Sequence, residues 1–134
     1  MIIITGHGNF ATGLKSSLDL ILGKYDFIKS IDFTELKTPK DLKCEIKSEV
    51  IKSENEKIYI FTDLAGGTPF KVSMELALEN KNVEVFCGTN LPMLVESTMM
   101  ISLGSDLDSI AIKEVGINSI NPKRKVVEFQ EEGI

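Results

Sequence analysis

The stretch Ile58-Tyr59-Ile60-Phe61-Thr62-Asp63-Leu64-Ala65-Gly66-Gly67-Thr68-Pro69 decides how the whole chain is read. Its first five residues are a β run, and Asp63 to Gly67 close that run with turn-forming residues. Thr68-Pro69 then fits a helix cap followed by proline in the first turn. The spacing predicts a helix carrying Phe70, Met74, Ala77 and Leu78.

The same alternation extends outward in both directions. Upstream, an apolar run over residues 1–4 leads into Thr5-Gly6-His7-Gly8. Ala11, Leu14, Leu18, Ile21 and Leu22 follow at helical spacing before Gly23. Phe27 to Phe33 reads as a second strand, and Thr38-Pro39-Lys40-Asp41 as a capping box ahead of the stripe Leu42, Ile46, Val50. Downstream, Val83 to Cys87 is a strand, Gly88-Thr89-Asn90 a turn, and Leu91-Pro92 opens a helix towards Leu103 with Met99-Met100 as a packing surface. Another helix is expected from about Asp106 to Val115. Beyond it, Ile117–Ile120 or Val126–Phe129 can each form a short strand, with Asn121-Pro122 between them. Strands alternating with amphipathic helices predict one doubly wound α/β domain over residues 1–134, its sheet mainly parallel and covered on both faces.

Composition agrees with a single core. The 134 residues are 43% hydrophobic and 26% charged, with four prolines. No apolar run nears the roughly 20 residues that span a bilayer, and the N-terminus lacks the basic region and cleavage site of a secretory signal, so a cytoplasmic protein is expected. Fifteen Lys and Arg against twenty Asp and Glu give a net charge of -5, which disfavours nucleic acid as a partner. Lys123-Arg124-Lys125 lies close to Glu128, Glu131 and Glu132 and reads as a solvated tail. Cys44 and Cys87 have no partners at metal-ligand spacing and read as buried or half-buried thiols.

Open α/β sheets bind ligands beyond the carboxyl ends of their strands, which directs attention to three turns: Gly6-His7-Gly8-Asn9, Asp63 to Pro69, and Gly88 to Pro92. His7 is the only histidine, set between glycines that leave its ring uncrowded. A neutral imidazole can accept a phosphoryl group on one nitrogen while a carboxylate holds the N–H of the other. Asp63 is suited to that role if the first and third strands are neighbours. Gly66, Gly67 and Thr68 would then lie at a helix N-terminus, where amide donors and the dipole favour phosphate. These residues require no metal and no cofactor, since Asp63 is the only carboxylate in the three turns.

Each residue also has a plain structural reading: a surface histidine, a turn-capping aspartate, a loop ending in a helix start, and Leu91-Pro92-Met93-Leu94 as a helix start packed on the sheet, although Asn90 lies near the mouth. Two other chemistries use the same positions. Gly6 to Ala11 satisfies the dinucleotide pattern G-x-G-x-x-A, with Asp32 as the ribose-binding acid, but that reading leaves the Asp63 turn without a purpose. A phosphoacceptor Asp63 of the receiver type would need acidic Mg²⁺ ligands after the first strand, where Thr5-Gly6-His7 stands. No P-loop pattern occurs.

From Ile2 to about Val115 the order and spacing of the three turns resemble the mannose-family IIA component of the bacterial sugar phosphotransferase system. The resemblance rests on Gly6-His7-Gly8, Asp63-Leu64-Ala65-Gly66-Gly67-Thr68-Pro69-Phe70 and Gly88-Thr89-Asn90-Leu91-Pro92-Met93-Leu94. It implies a phosphocarrier that accepts a phosphoryl group from phospho-HPr on His7 and passes it to a IIB component, serving the membrane IIC/IID components indirectly. It implies that Asp63 hydrogen-bonds the histidine, that Thr68 is the hydroxyl residue of the Gly-Gly-Ser/Thr-Pro turn, and that the protein is a homodimer exchanging a C-terminal strand. Lys71 departs from the asparagine common in the family and puts a charge near the mouth, where it bears on phosphate or partner affinity. The chain ends at Ile134 with no fused IIB domain, as a stand-alone subunit would. A regulatory module phosphorylated on the same histidine is the alternative role, and the sugar is not legible because selectivity belongs to the membrane component.

Overall fold

The computed structural model describes residues 1–122. Its elements are β1 (Ile2–His7), α1 (Phe10–Leu22), β2 (Ile28–Phe33), α2 (Pro39–Lys52), β3 (Ile58–Thr62), α3 (Thr68–Glu79), β4 (Val83–Phe86), α4 (Leu91–Ser102) and α5 (Ser109–Asn118). The four strands form one parallel sheet in the order β2-β1-β3-β4. That order follows from burial. Ile2 to Thr5 and all of Ile58 to Thr62 are buried, so their near-continuous apolar runs suit central strands covered on both faces. In β2 and β4 buried positions are interrupted by partly exposed ones, as expected at the edges.

The pleat divides the core into two layers. Ile2 and Ile4 of β1 join Tyr59, Phe61 and Phe86 under α1, α4 and α5; Ile3 joins Ile58 and Ile60 under α2 and α3. Phe61 and Phe86 stack in parallel with centroids 4.6 Å apart. The hydroxyl of the buried Tyr59 accepts the Leu107 N–H at 3.0 Å, which ties the segment before α5 to the sheet. In α2 the stripe Leu42, Ile46, Val50 is buried as its spacing predicts, and each side chain contributes about 1.5–3 kcal/mol. The Thr38–Asp41 capping box is formed in both directions.

Several expectations are corrected. Gly67, not Thr68, is the N-cap of α3, so the Thr68 side chain makes no capping bond. Helix α3 buries Pro69, Val72, Ser73 and Leu76, while Met74 and Leu78 face outward. Its sequence is apolar along two faces, and spacing alone does not say which one meets the sheet. Ile117 lies inside α5, so Ile117–Ile120 is not a strand; the helix starts only at Ser109 because the Asp108 carboxylate caps it through the Ile110 and Ala111 N–H groups. Cys44 and Cys87 are exposed. Cys44 lies off the buried stripe of α2, and Cys87 follows the end of an edge strand. Residues Val126–Phe129, the Lys123-Arg124-Lys125 cluster and the expected exchanged C-terminal strand lie outside the described residues. Among the described residues no helix is long and apolar enough to cross a membrane.

Candidate phosphoryl-transfer site

After β1 the chain moves outward to β2, and after β3 it moves the other way to β4, so the connections leaving β1 and β3 diverge. The crevice opened by that divergence is the switch point at which doubly wound sheets bind ligands. His7 is the last residue of β1, and Asp63 directly follows β3. His7 therefore ends a strand rather than sitting in the turn after it, because β1 stays paired with β2 up to His7 and Phe33.

The Gly6 position points towards α1, where an added Cβ would meet the Phe10 ring at 2.4 Å, so alternation along the strand sends His7 to the α2/α3 face. There the ring Nδ1 lies 2.6 Å from Asp63 Oδ2, and the same oxygen accepts the His7 main-chain N–H at 2.8 Å. Asp63 Oδ1 accepts the Leu64 N–H at 2.9 Å. Burial raises the Asp63 carboxyl, but the hydrogen bonds from the His7 backbone and ring and from Leu64 outweigh it and hold the group below its ordinary value. An ionised Asp63 accepting at Nδ1 keeps the proton on that nitrogen and leaves the lone pair on Nε2.

The cradle around the second nitrogen is the start of α3. Gly66 has a φ of 80°, which lets the loop turn back over the strand ends. Gly67 is required for closeness: a Cβ there would fall 2.8 Å from His7 Cε1 and 3.6 Å from Nε2. Thr68 is the first helical residue and half-buried. Its amide and that of Phe70 belong to the first turn, where N–H groups have no intrahelical acceptor, while Pro69 has no N–H to orphan. No acidic side chain occupies that turn to compete for an anion.

The structure thus brings together His7, Asp63 and Gly67, with Gly66 shaping the loop and Thr68 following as the first residue of α3. The third turn plays a different part. Gly88 N–H donates to the Asp63 carbonyl and Thr89 N–H to the Thr62 carbonyl, so this turn braces the backbone that carries Asp63. Asn90 accepts the Met93 N–H at 3.3 Å and donates to the Gly116 carbonyl at 3.0 Å, capping α4 and tying it to α5. Asp32, the acid of the dinucleotide reading, accepts from the Thr12 amide and hydroxyl and is committed to α1. Phe33 was not singled out by the sequence reading, yet its ring meets the His7 ring edge-on with centroids 5.8 Å apart. The signal available was its place at the end of the second predicted strand.

The chain is similar to several known proteins. A family model described as EIIA-man, PTS system fructose IIA component, matches residues 1–113. The sorbose-specific EIIA component of the PTS system of Lacticaseibacillus casei is 36% identical over 95 residues, covering 71% of this chain and 69% of that protein. Among solved structures, the phosphotransferase system component EIIA of Streptococcus agalactiae is 36% identical with a TM-score of 0.74, covering 88% of this chain and 89% of that one. The mannose/sorbose-specific IIA subunit of Enterococcus faecalis is 20% identical with a TM-score of 0.84, covering 96% and 97%; at that identity it speaks for the fold.

Proposed function

The chain belongs to the EIIA-man family of phosphotransferase-system components, and from that premise we propose that it is a phosphocarrier in sugar uptake whose carrier atom is His7 Nε2. The observation that carries this reading is the 2.6 Å contact between His7 Nδ1 and Asp63 Oδ2. It orients a ring whose side chain is 48% exposed, enough for a partner to reach.

In the proposed step the Nε2 lone pair attacks the phosphorus of phospho-HPr in line, the N–P bond forming as the donor's P–N bond breaks. The donor imidazole leaves with the electron pair of that bond, and the Nδ1 proton stays on His7, held by Asp63. The amides of the Gly66-Gly67-Thr68 turn and the Thr68 hydroxyl hold the phosphate oxygens; positioning and electrostatics supply the catalysis. The reverse geometry then hands the group to a histidine of a IIB component in the cytoplasm.

The homodimer belongs to the same reading. Beside the edge strand β4 lies a groove of about 420 Å³ bounded by Phe86, Met93, Gly116, Ile117 and Ile120. Its apolar floor and the outer edge of β4 support the addition of a strand from a second copy.

Incubation with phosphoenolpyruvate, enzyme I and HPr, followed by intact-mass measurement, tests the central claim. One acid-labile phosphate is expected on the wild type and none on His7→Ala. A phosphorylated His7→Ala protein would remove the claim.

A further inference from the structure

Helix α3 is apolar on two faces, and only one is used by the core. Val72 and Leu76 are buried against the sheet. Phe70, Met74 and Leu78 recur at i, i+4 and i+8 and form a second stripe. Leu78 is 85% exposed, Met74 38% exposed and Phe70 half-buried. Leu64 continues the stripe past the helix start: it is 53% exposed, and its Cγ lies 3.6 Å from where a Gly67 Cβ would stand, beside His7. Scattered exposed leucines need no explanation, but a stripe that starts at the reactive ring and follows one helix does.

The geometry points to this stripe as the seat of the protein that delivers the phosphoryl group. The inference rests on the phosphocarrier reading, in which a macromolecular donor must bring its own phosphorylated side chain against His7. A standard interface covers about 800 Å² per partner, a disc of roughly 16 Å radius. At a rise of about 1.5 Å per residue, Gly67 to Leu78 spans about 16 Å. A donor that reaches His7 and follows α3 covers Leu64, Phe70 and Met74, with Leu78 at its rim. On the α2 side of the helix, Glu75 and Glu79 are taken up by Lys43, at 2.8 and 3.7 Å. Lys71 stands exposed near the site end of the stripe. The fitting partner presents its phosphorylated residue within an apolar patch and sets an acidic group towards Lys71.

The experiment compares the wild type, the double variant Met74→Ser/Leu78→Ser, and Leu20→Ser, whose leucine is 89% exposed on α1 across the sheet. Steady-state transfer from phospho-HPr is measured beside labelling by phosphoramidate, a small donor that needs no docking surface. The double variant is expected to raise KM for phospho-HPr about ten- to hundredfold with kcat held, while phosphoramidate labelling changes less than twofold and Leu20→Ser matches the wild type. An unchanged KM in the double variant, or an equal rise in Leu20→Ser, overturns the docking assignment. So does loss of self-association in the double variant with KM unchanged, since the stripe would then seat a second copy. Failure of the wild type to label with either donor overturns the phosphocarrier reading itself.

Discussion

Asp63 Oδ2 accepts two hydrogen bonds from His7, one from ring Nδ1 at 2.6 Å and one from the main-chain N–H at 2.8 Å. The second fixes where the residue sits and the first fixes how its ring is turned, so a single oxygen sets both. In Asp63→Asn the side chain keeps its shape but offers a neutral acceptor and a donor amide, and the ring loses its imposed tautomer. Transfer to His7 is expected to slow by about 10²- to 10⁴-fold with the fold retained. Rapid-quench measurement of phosphohistidine formation checks this, and a wild-type rate in Asp63→Asn would show that the carboxylate has no orienting role.

The same contact makes stability depend on pH. Folding holds the Asp63 carboxyl below its ordinary value, so across the acid range the unfolded chain binds more protons than the folded one. The stabilisation is whole above the ordinary aspartate value of about 4 and is lost as pH falls through the lower folded value. Thermal unfolding of the wild type and Asp63→Asn should differ most near neutrality and converge as pH falls below the ordinary aspartate value. A gap that stayed constant over that range would mean that the charge on Asp63 contributes nothing to the difference.

Much of this arrangement could be read from the residues themselves, for physical reasons that differ from place to place. Ile58 to Thr62 is apolar without alternation and bounded by turn residues, so its strand matches the expected limits. The Thr38–Asp41 box announces α2 because both its hydrogen bonds are local. The pairing of His7 with Asp63 depended only on β1 and β3 being neighbours, which they are. What failed was whatever required knowing which face a helix turns inward. Phe70, Met74 and Leu78 are as periodic as Val72 and Leu76, and only packing against the sheet separates them. Exposed Cys44 on α2 reads as a buried or half-buried thiol for the same reason, and exposed Cys87 does so because its place at the end of an edge strand has no local signature. The aromatic wall at Phe33 escaped notice because it depends on strand register, which has no local signature.

Gly67→Ala tests the cradle without touching a reactive atom. With φ at -74° and ψ at 166° the backbone accepts any residue, so the helix start should survive with a stability change below about 1 kcal/mol. The added methyl would fall 2.8 Å from His7 Cε1, and the ring or the loop must shift. A displacement of that order is expected to lower the transfer rate by about 100-fold. Circular dichroism and the rapid-quench rate together decide it: an unfolded variant, or a folded one at the wild-type rate, contradicts the account of why glycine stands here.

Asn90→Ala separates scaffold from site. Although Asn90 follows the third strand-end turn, its side chain is spent on the Met93 N–H at the start of α4 and on the Gly116 carbonyl of α5. Removing it uncaps α4 and orphans a carbonyl, at a cost of about 1–3 kcal/mol. For a chain of this size that corresponds to a fall in Tm of roughly 3–12 °C. The rate of His7 phosphorylation below the transition should stay within about twofold of wild type, because neither His7 nor Asp63 touches the lost amide. A large loss of rate with unchanged Tm would move Asn90 from the frame into the chemistry.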